Sequence, residues 1–315
     1  MALKLLKKMK NNNFNQEIVW LLNEKYGGQL TVGAEKDIAR LKRGEPPHHN
    51  GKKSAKRGFR VQNSAAVWCG GEPVDYVISR KNFCGCQIDL RYKPFIPRDE
   101  TEYWIKQVIA EITKGRPRGG APRSALDMFA GSGCCGIAVL KNIPNAHCDF
   151  ADIDDNCLKQ IRLNLKINGI DKKRYRIIKS DVFEKIKGRY DLILANPPYI
   201  GLGQKKKVQK SVLDFEPKQA LFAKDNGLFF IKKFLSEAKN YLANKGLPPH
   251  HNGDIISYES VGRNKEAVWC GGGIYLEFGY NQKRDIEKLL KKFGYQNYIF
   301  NKDQFGKWRY LKIEN

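Results

Sequence analysis

The stretch Tyr190-Asp191-Leu192-Ile193-Leu194-Ala195-Asn196-Pro197-Pro198-Tyr199 decides how the rest of the chain is read. Tyr190 to Ala195 is an apolar run of the length of a short buried strand. Two prolines then end the ladder, because neither offers a backbone N–H. Asn196 and Pro197 each precede a proline, which pushes both into extended conformations. The strand therefore ends in a stiff corner carrying a side-chain amide, a proline carbonyl and an aromatic ring. Such a corner suits group transfer to a flat nitrogen. A planar amide or aromatic amine is a poor nucleophile because its lone pair is delocalised. Two acceptors on its N–H bonds fix it and raise electron density on nitrogen. The candidate acceptors are the Asn196 side-chain oxygen and the Pro197 carbonyl, and Tyr199 is the ring that stacks on the substrate. This is catalysis by positioning and electrostatics, with little need of a strong base. The bland alternative is a strand-to-loop turn, since Asn-Pro is a common breaker.

The 315 residues allow one large or two small domains with ample core. Lys and Arg number 57 against 33 Asp and Glu, a net charge of +24. Such a chain approaches polyanions and loses affinity with salt. That supports ribosome or nucleic-acid proximity, while a lysine-rich proteome accounts for the same charge without any such role. No apolar run approaches a membrane span. The basic start, Met1 to Lys10, has too short an apolar part for a signal peptide. The expectation is a cytoplasmic protein without membrane contact. The eight cysteines include no CxxC pair and are expected as reduced thiols.

Residues 1–43 are expected to form a small helical N-terminal region. An internal repeat follows: Pro46-Pro47-His48-His49-Asn50-Gly51 recurs as Pro248-Pro249-His250-His251-Asn252-Gly253. Each copy ends alike, in Ala66-Val67-Trp68-Cys69-Gly70-Gly71 and Ala267-Val268-Trp269-Cys270-Gly271-Gly272. Adjacent histidines rarely face one ion and no usual zinc spacing is present, so no metal site is expected. Back-translation of Pro-Pro-His-His as CCT CCG CAC CAC gives a reverse complement that encodes Trp-Cys-Gly-Gly one base along. The ends of each copy then read as two arms of one DNA inverted repeat, inserted twice. Residues 44–72 and 247–272 are accordingly expected as surface loops without chemistry. Between them, 73–122 reads as a β-hairpin and a linking helix: Val77-Ile78, Phe83 to Cys86 and Gln87 to Tyr92 as strands, a helix from about Glu100 to Ile112, then a linker from Lys114 to Pro122. From Ser124 strands and helices alternate, with long helices at Asp225 to Leu242 and Gln282 to Lys292 and a terminal hairpin of Tyr295 to Phe300 with Trp308 to Ile313. Alternation predicts an α/β fold with a mostly parallel, doubly wound sheet.

Gly131-Ser132-Gly133-Cys134-Cys135-Gly136 fits GxGxxG after a strand and before a helix, and Asp152 ends the next strand about twenty residues on. The glycines let backbone approach a ligand, and the carboxylate can take two ribose hydroxyls. The ligand is a dinucleotide or an adenosyl cofactor; no extended nicotinamide-side signature follows. A sulfonium methyl donor in this loop would face the corner at Asn196.

These residues together resemble the release factor glutamine methyltransferases, the PrmC/HemK family. The resemblance runs from about Gly71 to the C-terminus, outside the second insert. It is carried by Ile96-Pro97-Arg98-Asp99-Glu100-Thr101-Glu102, Leu126-Asp127 with the glycine loop, Asp152, Asn196 to Ile200, Phe215-Glu216-Pro217 with Ala220-Leu221, Asp225 with Gly227, and Leu276-Glu277-Phe278-Gly279. It implies a Rossmann-like, seven-stranded class I methyltransferase domain over 123–315. It further implies that Phe129, Ala130, Gly131, Ser132, Gly133 and Asp152 bind S-adenosylmethionine, with Asp181 and Val182 near the adenine. Asn196, Pro197, Pro198 and Tyr199 would hold the substrate amide, with Asn196 also bordering the cofactor. The implied reaction methylates the glutamine nitrogen of the GGQ motif in peptide-chain release factors. The chain departs from the family at Asp99, usually Pro, and at Phe129-Ala130, usually Gly-Thr, and its N-terminal region is shorter. The same corner would serve a ribosomal protein glutamine or, with Tyr199 stacking a flipped base, the exocyclic amine of adenine in DNA or RNA. A non-enzymatic RNA-binding protein retaining the pocket is the remaining reading.

The inverted-repeat reading has a direct test in the nucleotide sequence of the gene. The arms encoding Pro46 to His49 and Trp68 to Gly71 are expected to pair as reverse complements, as are those of the second copy; arms that fail to pair would remove it.

Overall fold

The structure, a computed structural model, describes residues 72–114, 124–243, 250–251, 254–255 and 273–314. The expected helical region at 1–43, nearly all of the first insert at 44–72 and most of the linker to Pro122 lie outside the described residues. So does the second insert at 247–272, except for a two-residue ladder of His250–His251 with Asp254–Ile255. The chain divides into two compact units, one of Met1–Lys81 with Val208–Glu216 and one of Asn82–Lys207 with Pro217–Asn315. In the first, the described elements include the short helices Val74–Ile78 and Lys210–Phe215. Val77 and Ile78 were expected in a strand. They are instead the end of a single helical turn that follows Pro73 and is stopped by Ser79 in the left-handed region, φ 60.

The second unit holds the sheet. A hairpin of β1 (Arg80–Phe83), whose first two residues end the Met1–Lys81 segment, and β2 (Cys86–Asp89) turns at Cys84-Gly85, both with positive φ. This places the turn inside the segment expected as a strand, because glycine takes that conformation freely. Helix α1 (Asp99–Lys114) follows, its first turn acidic as suits a helix N-terminus. Then come β3 (Ser124–Met128), α2 (Cys134–Asn142), β4 (His147–Asp152), α3 (Asp155–Ile167), β5 (Tyr175–Lys179) and β6 (Leu192–Ala195). Short strands β7 (Ile200–Gly201) and β8 (Phe222–Ala223) pair with each other. After the His250–His251 and Asp254–Ile255 ladder (β9 and β10), β11 (Gly273–Glu277), β12 (Tyr298–Lys302) and β13 (Trp308–Ile313) complete a seven-stranded sheet of order β12-β13-β11-β6-β3-β4-β5. β5, β4, β3, β6 and β11 run parallel, and β13 is inserted antiparallel between β11 and β12. This is the Rossmann-like, seven-stranded sheet that the resemblance implies.

Strand alternation sorts the side chains onto two covered faces. Leu126, Met128, Ile193, Ala195, Ile274 and Leu276 share a core with helix α4 (Phe229–Glu237) and helix α5 (Lys283–Lys292). The opposite face meets α1 and α2: Trp104 stacks on Tyr310, and the Gly136 N–H donates to Asp127 Oδ2 at 2.8 Å. The segment Asp225 to Leu242, expected as one helix, is broken. Asp225 (φ 55) and Asn226 (φ 52) are left-handed, α4 begins only at Phe229, and a 3-10 turn takes over at Ala238. Among the described residues no helix is long and apolar enough to cross a membrane, and the six described cysteines are free thiols.

Asp127 is buried beneath the glycine loop, and burial pushes its carboxyl up to about 8, with the Gly136 N–H opposing and Asp152 reinforcing the rise. An acid whose folded-state value is raised favours folding while neutral. Its contribution is complete below the unfolded value near 4 and declines as pH rises to about 8. Asp127→Asn keeps an acceptor for Gly136 but cannot ionise. Thermal denaturation from pH 5 to 8 is expected to show the wild-type midpoint falling relative to this variant; parallel curves would contradict it.

Candidate active site

β3 and β6 lie side by side with Met128 opposite Ala195, so Phe129 and Asn196 leave the sheet at one edge and one level. The chain steps from β3 outward through β4 to β5, then returns to β6 on the other side of β3. That reversal opens the crevice in which open α/β sheets bind ligands.

The glycine loop forms one wall. Phe129 (φ 58), Gly131 (φ 55) and Gly133 (φ 77) are all left-handed. Glycine does this freely, whereas a β-carbon costs about 1–2 kcal/mol. Phe129 therefore carries strain where the resembled family has glycine, and its ring packs on Phe230 and Phe234 at 5.9 and 6.4 Å between centroids. Ala130 N–H donates to Ala151 O at 3.1 Å, and Asn164 Nδ2 holds the Ser132 carbonyl at 2.9 Å. A β-carbon built on Gly131 would meet nothing nearer than 3.9 Å, so there is space beside the loop. One built on Gly136 would lie 2.4 Å from the Phe150 ring, so this glycine serves helix packing instead.

Asp152 ends β4 next to that loop. Its Oδ2 accepts the Gly131 N–H at 2.8 Å and its Oδ1 the Asp154 N–H at 2.9 Å. Burial raises its pKa, and these backbone donors oppose the rise. A carboxylate has about four lone-pair sites, so acceptor capacity is left over for ligand hydroxyls. Asp154 caps α3 by accepting the Asn156 N–H at 2.8 Å. The Ser180 N–H donates to Asp152 O at 3.0 Å, which carries the loop after β5 to the same edge. There Val182 is left-handed (φ 54) and buried, and Asp181 pairs with Lys233 at 2.8 Å. The open space at Gly131, the acceptor of Asp152 and the adjoining loop at Asp181 and Val182 fit an adenosyl group with its ribose.

The corner after β6 stands opposite. Asn196 Nδ2 donates to Thr101 Oγ1 at 3.3 Å. Among the described residues no protein group donates to Asn196 Oδ1 or to the Pro197 carbonyl. Pro197 and Pro198 are buried, whereas Asn196 and Tyr199 are half-buried. Tyr199, expected as the ring that stacks on the substrate, has its hydroxyl engaged, donating to Glu277 Oε1 at 3.1 Å with Arg309 Nη1 3.5 Å away. Burial, followed by Glu277, pushes the Tyr199 phenol up, so it stays neutral. Glu277 ends β11 and is 1% exposed. Its Oε2 also accepts from Thr101 Oγ1 and Trp104 Nε1, both at 2.7 Å. Burial raises its pKa; Trp104, Thr101, Arg309 and Tyr199 all oppose that. Gln282 Nε2 donates to the Tyr199 carbonyl at 2.9 Å. The roles of Thr101, Trp104, Gln282 and Arg309 escaped the sequence. The one available signal was Glu277 itself, a charge closing an apolar strand, which is rarely buried unless paired.

Residues 117–231 match the family model described as the methyltransferase small domain. The release factor glutamine methyltransferase of Flavobacterium psychrophilum is 28% identical over 245 residues, covering 77% of this chain and 75% of that protein. That of Streptococcus pneumoniae is 29% identical, covering 78% and 75%. Over about three quarters of its length the chain is similar to release factor glutamine methyltransferases. The ribosomal protein uL3 glutamine methyltransferase of Francisella tularensis is also similar, 32% identical over 188 residues, covering 57% of this chain and 56% of that protein. The backbone at Gly227 passes close to the corner at Asn196 to Tyr199. A β-carbon on Gly227 (φ 89) would lie 2.0 Å from the Tyr199 carbonyl oxygen. Gly227→Ala is therefore expected to displace the corner and cost about 1–3 kcal/mol, read as a lower midpoint in denaturant unfolding. A midpoint equal to the wild type's would contradict this close approach.

Proposed function

We propose that this chain transfers a methyl group from S-adenosylmethionine to the side-chain nitrogen of a glutamine, in the GGQ motif of a peptide-chain release factor. The supporting observation is the pair of acceptors without protein donors, Asn196 Oδ1 and the Pro197 carbonyl, at the edge it shares with the glycine loop. A primary amide offers two N–H bonds on one flat nitrogen, which matches two fixed acceptors. Backbone from Phe129 to Gly133 (Phe129, Ala130, Gly131, Ser132 and Gly133) and the Asp152 carboxylate would hold the cofactor, with Asp181 and Val182 by the adenine and Asn196 on its border. When bound, S-adenosylmethionine supplies an electrophilic methyl on a sulfonium whose leaving group is neutral.

The chain's own work is positioning. Asn196 and Pro197 hold the amide N–H bonds and orient the nitrogen lone pair; Pro198 stiffens the corner, and Tyr199 presents its ring with its hydroxyl anchored. As the nitrogen–carbon bond forms, the amide nitrogen gains positive charge, which the two oxygens stabilise. Its extra proton then passes to water. Action on release factors would place the chain in the cytoplasm, beside the ribosome, where a charge of +24 favours approach to RNA-rich partners.

A second reading, a ribosomal protein glutamine as substrate, draws support from the similarity to the uL3 enzyme. Incubation with labelled S-adenosylmethionine and purified release factor, ribosomes or nucleic acid separates these. Label is expected on the release factor glutamine. Label on ribosomal protein would move the substrate, and label on nucleic acid alone would reject both. Asn196→Ala is expected to lower kcat by about a hundredfold while cofactor affinity changes by less than about threefold. Steady-state kinetics with calorimetric titration checks this; an equal loss in both would remove Asn196 from the acceptor role.

A further inference from the structure

We infer that Thr101, held by Glu277, fixes which end of the Asn196 amide faces the crevice, and so sets the site to receive an N–H donor. The inference rests on the reading of Asn196 as a substrate acceptor. An asparagine amide has an acceptor end and a donor end of nearly the same shape. Only one orientation makes Asn196 useful to a substrate nitrogen that carries hydrogens. With the other, Nδ2 would point its own hydrogens at the substrate's.

The choice is made behind the corner. Trp104 Nε1, a donor only, and Thr101 Oγ1 converge on Glu277 Oε2, both at 2.7 Å, and Tyr199 Oη donates to Oε1 at 3.1 Å. Trp104 can only donate, and with Thr101 and Tyr199 also placed as donors Glu277 accepts from all three. A hydroxyl has a single hydrogen. Thr101 has given its hydrogen to Glu277, so toward Asn196 it can only accept. The Asn196 atom 3.3 Å away is therefore Nδ2, and Oδ1 is left as the crevice-facing acceptor. The directions run one way, from Asn196 to Thr101 to Glu277. Thr101 and Trp104 are three residues apart on α1 and therefore share one helix face, which is why both reach Glu277. Thr101 and Glu277 touch no substrate; they are positioning residues.

The test compares Thr101→Val, which keeps the shape and removes the hydroxyl, with Thr101→Ser, which keeps the hydroxyl. Two readouts are taken on the full-length chain. The first needs no ligand: hydrogen exchange of the Asn196 side-chain amide in protein labelled with 15N at asparagine, its signal assigned by its loss in Asn196→Ala. Slow exchange is expected in wild type and Thr101→Ser, and fast exchange in Thr101→Val. The second is methyl transfer: Thr101→Val is expected to lower kcat about tenfold with unchanged cofactor affinity, and Thr101→Ser to stay within about threefold of wild type. Fast exchange in the wild type, or equal behaviour of the Val and Ser variants in both readouts, would overturn the inference. If Thr101→Val fails to fold, the exchange rates of wild type and Thr101→Ser decide it. If wild type methylates no substrate, the functional reading fails while the exchange arm still decides the orientation.

Discussion

Parallel pairing of β3 with β6 is the constraint on which the rest depends. Met128 stands opposite Ala195, so the glycine loop and the proline corner must emerge beside each other. Neither has far to go before it meets the other's wall. The reversal of strand order at this pair keeps α2 and α4 from covering the edge between them, since they pack on opposite faces of the sheet. The crevice is thus a product of topology, and the side chains only furnish it.

Two kinds of support hold the furniture in place. On the cofactor side it is mostly backbone: positive-φ turns at Gly131, Gly133 and Val182, with Asp152 tying the first loop to the second strand. On the corner side it is a buried polar cluster around Glu277. A buried carboxylate is costly unless its lone pairs are used, and here indole, threonine and tyrosine donors use them. Such a cluster adds little net stability, but each member has one permitted orientation. Direction, rather than strength, is what it contributes to the corner.

Strain appears where the loop departs from the family pattern. Phe129 adopts a backbone conformation that suits glycine, and three aromatic rings, its own with Phe230 and Phe234, are packed around it. The break at Asp225 to Gly227 is similar in kind. Left-handed residues interrupt what reads as a continuous helix, and the Gly227 backbone comes so near the Tyr199 carbonyl that a β-carbon there would lie 2.0 Å from its oxygen. Phe129 lies in the glycine loop, and Gly227 lies against the Tyr199 carbonyl of the corner.

The sequence alone determined whatever depends on neighbouring residues. Prolines fix their own φ and restrict the residue before them, so the corner at Asn196 was legible; GxGxxG and the alternation of apolar runs gave the doubly wound sheet and the place of Asp152. Helix breaks were less legible, since Asp225-Asn226-Gly227 is compatible with a helix N-terminus until Gly227 meets Tyr199. Only the tertiary structure decided the partners of that corner. Asn196 bonds across 95 residues to Thr101, and Thr101 across 176 to Glu277. No local pattern encodes a hydrogen-bond direction between residues so distant, because it exists only once the sheet has brought β6, β11 and α1 together.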